Sequence, residues 1–357
     1  TYSGVAVFRS RCRSGLRSAV DRSQFHDTRN LSGDSRSEEQ GPLRMPESCN
    51  LRFIARLRPS RFAGVLLVAS LLAGCDRDLS KASPSTEAAT TTGARPATVA
   101  PGRASMTIEQ LHAALKEKNP AYNGQAMMQL GGLEIRAVAL GNTGVVDLAP
   151  LAGLSLNELD LQGTAVTDLA PLRGLPLARL FLEGTKVRDL SPLAGMKLTQ
   201  LYAAATPIES LDPLAGMPLE QLNLVGTKIR SLEALRGAPL KMLWLNHAPV
   251  EDLGPLAGAP LESLTLEGTN VVDIAVVRRL PSLRRLHIGE TRVADLSPLD
   301  GLPLTRLVFT PSRAAAGLEA ARSLPACTEI GTRYNDVDND LRPPAVFWKA
   351  YDAGAYR

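Results

Sequence analysis

A phrase of 21 residues recurs through the middle of the chain, written eight times between Ile135 and Thr310 and begun a ninth. A leucine opens most copies at this fixed spacing, at Leu156, Leu177, Leu198, Leu219, Leu240 and Leu261. Ile135 opens the first copy, and one extra residue, Ser282, delays the copy that opens at Leu283. A unit this short cannot bury its apolar residues alone, so the period predicts copies stacked into a solenoid.

The copy from Leu177 to Lys197, LARLFLEGTKVRDLSPLAGMK, displays the pattern most clearly. Apolar residues at its first, fourth and sixth positions predict a short strand with alternate side chains directed inward. Stacked copies would align these strands in a parallel sheet with neighbours about 4.8 Å apart. The phrase resembles a leucine-rich repeat, which implies an α/β solenoid with its parallel sheet on the concave face.

Two polar rows follow the predicted strands. A threonine recurs where a hydroxyl can bond the backbone of a tight turn, at Thr143, Thr164, Thr185, Thr206, Thr227, Thr269 and Thr291, and Ala248 interrupts the row. An aspartate or serine then precedes a Leu-x-Pro-Leu turn, as expected of residues that cap a helical turn, at Asp147, Asp168, Asp189, Ser210, Ser231, Asp252, Asp273 and Asp295. One carboxylate per coil does not converge on an ion as calcium ligands do, so no metal site is predicted.

A coil of 21 residues leaves room only for a short 3₁₀ turn opposite the strand. In this respect the repeats resemble internalin-like leucine-rich repeats, whose coils carry 3₁₀ segments on the convex side. The flanking segments LHAALKEKNPAYNGQ, from Leu111, and PPAVFWKAYDAG, from Pro343, resemble the ends of bacterial leucine-rich repeat arrays found alone or behind serine/threonine kinases. This resemblance covers about residues 106–357 and implies a recognition module. The sequence itself contains none of the kinase motifs.

Both ends of the array are predicted to be capped, because an exposed terminal coil would show its leucines to water. In residues 106–134, Thr107 to Gln110 has the form of a capping box that opens a helix to about Glu117, and a hairpin at Gly131-Gly132 leads into the repeats at 135–310. In residues 311–357, a helix from Ser312 to Leu324 is predicted, with Phe347 and Trp348 packed under it as core.

The segment ahead of the array has the features of an exported lipoprotein. Arginines precede a 12-residue apolar run, Phe62 to Ala73, that ends at Leu-Ala-Gly-Cys75, so residues 45–74 are predicted to be a signal peptide and Cys75 its lipidated cysteine. Residues 1–44 are interpreted as an over-extended reading frame. Residues 75–105, rich in Ser, Thr, Ala and Pro, are predicted to be a disordered tether.

Charge and cysteine usage narrow the possible partners. Residues 1–74 hold 12 of the 40 Lys and Arg but only 6 of the 36 acidic residues, so the remainder has a formal charge of about −2, and nucleic acid is not an expected partner. Of the four cysteines, Cys12 and Cys49 would be removed with the leader, and only Cys327 would stay free. No disulfide framework is expected in the mature chain.

The candidate binding site is the row at the fifth position of each copy, which points outward between two inward leucines. The row reads Ala139, Asp160, Phe181, Tyr202, Asn223, Trp244, Thr265, His287 and Val308. It holds three of the four aromatic residues of the repeats, and exposed aromatics are frequent anchors of interfaces. The predicted ligand-binding residues are Phe181, Tyr202, Trp244, Asn223 and, from the adjacent third-position row, Arg179. His287 is expected to be a surface residue, and packing between neighbouring strands is the alternative explanation for the aromatics.

The function favoured by these features is a non-enzymatic, lipid-anchored module that binds a protein or peptide in the bacterial envelope, in the periplasm or at the cell surface. No catalytic residue, metal site or cofactor is predicted, because every carboxylate row is explained by the repeat. A carbohydrate-binding module, a structural spacer and a regulatory array related to kinase-attached repeats remain alternatives.

Overall fold

The computed structural model describes residues 106–334 and 339–356, and these residues build a single sheet of eleven strands in sequence order. The strands are β1 Met127–Gly131, β2 Glu134–Ala139, β3 Glu158–Asp160, β4 Arg179–Phe181, β5 Gln200–Tyr202, β6 Gln221–Asn223, β7 Met242–Trp244, β8 Ser263–Thr265, β9 Arg285–Ile288, β10 Arg306–Phe309 and β11 Glu329–Gly331. The predictions for 1–44, 45–74, Cys75 and 75–105 lie outside the described residues.

The sheet is the predicted parallel stack with one antiparallel strand at its N-terminal edge. β1 pairs antiparallel with β2 across the predicted hairpin, and every later pairing is parallel. Equivalent residues of successive copies are partners, as Leu180 is with Leu159 and Leu201. A leucine-rich repeat solenoid is therefore confirmed.

Short 3₁₀ helices occupy the side of each coil opposite the strand, as predicted. They span Ala149–Leu151, Ala170–Leu172, Ser191–Leu193, Asp212–Leu214, Glu233–Leu235, Gly254–Leu256, Ala275–Arg279, Ser297–Leu299 and Pro311–Arg313. Most have proline in the first turn, where its missing N–H costs no intrahelical bond. Ala275–Arg279 has five residues where its counterparts have three. The copy lengthened by Ser282 therefore accommodates its extra residue here, away from the strand.

The threonine and aspartate rows bond the backbone as predicted. Each threonine hydroxyl donates to the carbonyl oxygen three residues earlier, at 2.6 to 2.7 Å. Each aspartate accepts from the backbone N–H two residues later, at 2.7 to 2.8 Å. Ser210 and Ser231 make the same bond at 3.1 and 3.3 Å. These bonds close seven of the turns that follow the strands and the entry to eight of the 3₁₀ helices.

The N-terminal cap is α1 Ile108–Lys118, whose predicted capping box is present. The helix buries Leu111 and Leu115 against the first coil. Asn119, 3% exposed, joins the cap to the array. Its amide donates to the Asp147 carbonyl at 3.0 Å and accepts from the Val146 N–H at 2.8 Å. A buried amide with these partners satisfies backbone groups that the terminal coil would otherwise leave open.

The C-terminal cap differs from the prediction of one helix over Ser312 to Leu324. Only α2 Leu318–Arg322 is helical there, and Gly317 before it has a φ of 73°. Backbone N–H groups of Ala315 and Ala316 instead donate to the carbonyl of Ala294, so this segment continues the pairing between coils, and the prediction of a longer helix was wrong. The final helix, α3 Pro344–Asp352, buries Phe347 and Trp348 as predicted.

The eighth position of each coil bends sharply and has a left-handed backbone. Glycine occupies it in four coils, but Asn142, Ala205, His247 and Glu290 also have φ values of 55 to 61°. A Cβ built on Gly184 has no atom closer than 3.8 Å, so steric contact with neighbours does not demand glycine there. At Gly184 backbone conformation alone therefore sets the preference for glycine, whereas a Cβ at Gly163 or Gly268 would also collide with the side chain that precedes it in the stack.

We predict that Ala205→Gly stabilises the protein by about 1 kcal/mol, because glycine adopts this φ without the Cβ clash of alanine. The reciprocal variant Gly184→Ala should destabilise it by a similar amount. Urea unfolding of the two variants beside the wild type measures both changes. An Ala205→Gly variant that is less stable than the wild type would contradict the argument from backbone strain.

Candidate functional site

The fifth-position residues form one file across the sheet because the strands pair in register. Phe181 lies between Asp160 and Tyr202, Asn223 lies between Tyr202 and Trp244, and the file continues through Thr265 to His287 and Val308. We call Phe181, Tyr202, Asn223 and Trp244 the aromatic row. All four side chains are partly buried and partly open to solvent.

The rings of the aromatic row contact each other. Phe181 and Tyr202 stack with ring centroids 5.1 Å apart and planes inclined by 21°. Tyr202 also approaches Trp244, two strands away, with centroids 6.0 Å apart. Its hydroxyl donates to Oε1 of Gln221 at 2.5 Å, while Oδ1 of Asn223 accepts from the Val225 N–H at 3.1 Å. Packing of neighbouring aromatics therefore occurs, and it holds the rings as one apolar strip at the surface.

Arg179, the remaining predicted site residue, lies beside this strip and forms an ion pair with Glu158 on the preceding strand. The arginine side chain is 39% exposed and the glutamate 13%. Burial raises the pKa of the neighbouring Asp160 carboxyl above its ordinary value, and the nearby Glu158 adds to this rise. On the N-terminal side of the strip, the Arg179 charge is therefore paired with Glu158, and the Asp160 carboxyl is partly removed from water.

The C-terminal end of the file is covered, contrary to the expectation for His287. This residue is 3% exposed and Val308 is fully buried. The chain after β11 returns over the strand face, where Tyr334 lies under the Arg306 guanidinium and the carbonyl of Thr332 lies close to Gly289. The prediction of a surface histidine was wrong because no repeat pattern marks the segment that covers it.

Burial determines the protonation of His287. Removal from water lowers its pKa to about 4, and His247 contributes further. Neither ring nitrogen has a hydrogen-bond partner among the described residues. The imidazole is therefore neutral at pH 7 and presents one donor and one acceptor to the space around it.

We predict that His287 makes the protein less stable as the pH falls from about 6.5 to about 4. In that window the unfolded histidine binds a proton that the folded one does not, so the free energy of unfolding decreases, by on the order of 3 kcal/mol in total.

Urea unfolding at about pH 7 and about pH 4 measures this loss. The matched variant His287→Gln should lose less stability over the same interval, because its carboxylates titrate alike but the amide does not. Equal losses in both proteins would show that burial of the imidazole does not govern the acid response.

Histidine, cysteine and carboxylate side chains also occur elsewhere in residues 106–334 and 339–356. Within them no group of three or more histidine, cysteine, aspartate or glutamate side chains could hold a metal ion. The described helices include none with the length and apolar character needed to cross a membrane. Burial raises the pKa of the Cys327 thiol, which is the opposite of what activates a cysteine nucleophile.

Comparison with known proteins gave structural likeness alone. No protein-family model and no curated protein matches the chain. Internalin C2 of Listeria monocytogenes is 28% identical over 56% of this chain and 92% of its own, with a TM-score of 0.48. The L. monocytogenes internalin InlF is 22% identical over 62% and 73%, with a TM-score of 0.47. The functional domain of InlJ, also from L. monocytogenes, is 18% identical over 52% and 46%, with a TM-score of 0.40.

These TM-scores are all below 0.5, so the fold assignment depends on the chain's own coils. Those coils have 21-residue spacing, one parallel strand each and a 3₁₀ helix opposite the strand. The chain is therefore a leucine-rich repeat solenoid with short coils.

Proposed function

We propose that this protein is a non-enzymatic recognition module that binds a protein or peptide across the aromatic row. The observation that carries the proposal is the continuous contact of Phe181, Tyr202 and Trp244 on a strand face whose neighbouring outward positions are polar. Large aromatic side chains supply contact area at low entropic cost and are frequent hot spots of interfaces.

The geometry of the rings favours a polypeptide over a sugar. A sugar ring stacks on the open face of an aromatic ring, but Phe181 and Tyr202 turn faces toward each other. Tyr202 also has its hydroxyl engaged by Gln221. A strip of ring edges flanked by amides suits the mixed apolar and hydrogen-bonding surface of a peptide. A pure spacer has no use for an apolar strip of this kind.

Lipid anchoring is the second part of the proposal. Cys75 would hold the protein at the envelope membrane, on its periplasmic or outer surface, and residues 76–105 would act as a flexible tether. Thirty such residues have an r.m.s. span of about 30 Å. The solenoid would reach ligands beyond the lipid headgroups.

We predict that Cys75→Ser moves the protein from the membrane fraction to the soluble fraction of cells that express the full chain, because serine cannot accept the thioether-linked lipid. The measurement is the distribution of the protein after fractionation. Cys327→Ser, which removes the other cysteine beyond the leader, is the matched control and should stay with the membrane. Membrane retention of Cys75→Ser would refute the anchor.

We predict that the triple variant Phe181→Ala, Tyr202→Ala and Trp244→Ala loses partner capture, because truncation removes the apolar contact area. Proximity labelling in intact cells with the full chain, followed by mass spectrometry, measures capture. A protein recovered with the wild type should fall at least about tenfold with the triple variant, in line with the loss of more than one hot spot.

The control variant carries Val146→Ala and Val272→Ala, because these exposed apolar side chains, 50% and 59% exposed, lie outside the aromatic row. It should capture the partner as the wild type does. Circular dichroism establishes that each variant is folded. Undiminished capture by the triple variant would exclude the aromatic row as the site, whereas retention on polysaccharide without any captured protein would reassign the function to carbohydrate binding.

A further inference from the structure

A pocket adjoins the aromatic row at its C-terminal end, where the final cap covers the strand face. Its volume is about 270 Å³, and the side chains that define its chemistry belong to Trp244, Thr265, Arg285, His287, Arg306 and Tyr334. Trp244 belongs to both surfaces. A chain lying along the row would therefore reach the pocket at Trp244.

The two arginines of the pocket differ in their pairing. Arg306 donates to Oε2 of Glu329 at 2.6 Å, and its guanidinium lies 4.3 Å from the ring centroid of Tyr334. Its charge is compensated and its position is held. Arg285, on the preceding strand, has no ion pair or side-chain hydrogen bond among the described residues. Among the described residues, the pocket thus has one uncompensated guanidinium, that of the partly buried residue Arg285.

Two polar side chains without partners among the described residues line the same pocket as this guanidinium. His287 is 3% exposed, and neither of its ring nitrogens bonds any described residue. The Thr265 hydroxyl is also buried and has no partner among the residues that the structure describes. Unsatisfied buried groups cost free energy, and they are uncommon unless a ligand or water completes their bonding. Donors that share one small cavity with a free guanidinium are the arrangement expected of a site for an acceptor group.

We propose that this pocket binds a carboxylate of the polypeptide that lies on the aromatic row. The inference rests on the proposed function for the origin of its ligand, but the pocket can be tested without the natural partner. A carboxylate accepts hydrogen bonds only, and its two oxygens match the planar fork of a guanidinium. In the pocket Arg285 would supply the charge, and Thr265 with the neutral imidazole of His287 would supply further donors.

The electrostatics select a carboxylate rather than a more highly charged anion. Phosphate groups carry up to two charges at pH 7 and are usually met by several cations. Here Glu329 already neutralises Arg306, which leaves Arg285 with the single unpaired positive charge of the described lining. A cation is disfavoured for the same reason. The two possible sources of the carboxylate are the C-terminus of a peptide and an Asp or Glu side chain within it.

The test uses the full chain and three small probes: acetyl-Ala-Ala with a free carboxylate, acetyl-Ala-Ala-amide, and acetyl-Ala-Asp-amide. Imidazole signals in ¹H–¹³C NMR, with the His287 signal assigned through His287→Gln, report on binding. At least one acid probe should bind about tenfold or more tightly than the neutral amide, as expected for one charge-assisted pair. The better acid identifies the source as a chain end or a side chain.

Arg285→Gln should remove this preference, and Arg284→Gln is its matched control. Arg284 is exposed, does not line the pocket and changes the net charge equally, so it should leave the preference intact. Thr265→Val, which keeps the side-chain shape, should weaken the acid probe by several-fold. The NMR spectrum also shows whether each variant keeps its fold.

Equal binding of acid and amide by the wild type, no binding of either acid, or equal effects of Arg284→Gln and Arg285→Gln would overturn the proposal. Tighter binding of inorganic phosphate than of both acids would also overturn it. The double variant Phe181→Ala and Tyr202→Ala should leave probe binding unchanged, because neither residue lines the pocket. Loss of partner capture by the aromatic row and loss of carboxylate binding by the pocket can thus be told apart.

Discussion

Hydrogen bonding between successive coils, which pairs equivalent strand positions of one coil and the next, is the constraint on which the rest of this structure depends. The N–H of Leu182 donates to the carbonyl of Tyr202 at 2.7 Å, and the N–H of Leu224 donates to that of Trp244 at 2.8 Å. Leucines close the interior of each coil and are almost wholly buried. No coil has a core of its own, so a register error in one would expose the leucines of its neighbours.

The same register orders the outer surface. Partners on adjacent strands occupy equivalent positions of the repeat. The outward residues of the strands must therefore form a file, in which neighbouring residues are about one strand spacing apart. Substitution at these positions costs the core little, and so they are free to carry recognition. Phe181, Tyr202 and Trp244 form one strip although 63 residues separate the first from the last.

Sequence periodicity was sufficient for the parts of the molecule that repeat and insufficient where the pattern ends. The strands, the 3₁₀ helices, and the threonine and aspartate bonds follow from residues that recur every 21 positions. The C-terminal cap does not recur. Its backbone continues the sheet through β11 and then crosses the strand face at Tyr334, so His287 and Val308 become buried. Asp340, which binds the Thr332 backbone at 2.8 Å, belongs to a segment without any periodic signal. For His287 and Val308, only their position in the last coils indicated that a cap could reach them.

Closing the end of the array has a chemical consequence beyond protection of the last leucines. A cap that lay flat against the strand face would cover it completely. Instead, Tyr334 of the cap stacks on Arg306 of β10, and Trp244 lies on β7, three strands away. The space between them is lined in part by polar side chains at outward strand positions, among them Thr265, Arg285 and His287. The open face of the coils can accept a long, weakly specific contact, since any extended chain can lie across it. If the row binds a polypeptide as proposed, a closed end with one free guanidinium would set where that chain must stop or place an acid. It would thereby give direction and register to binding on a surface that translation by one coil otherwise leaves ambiguous.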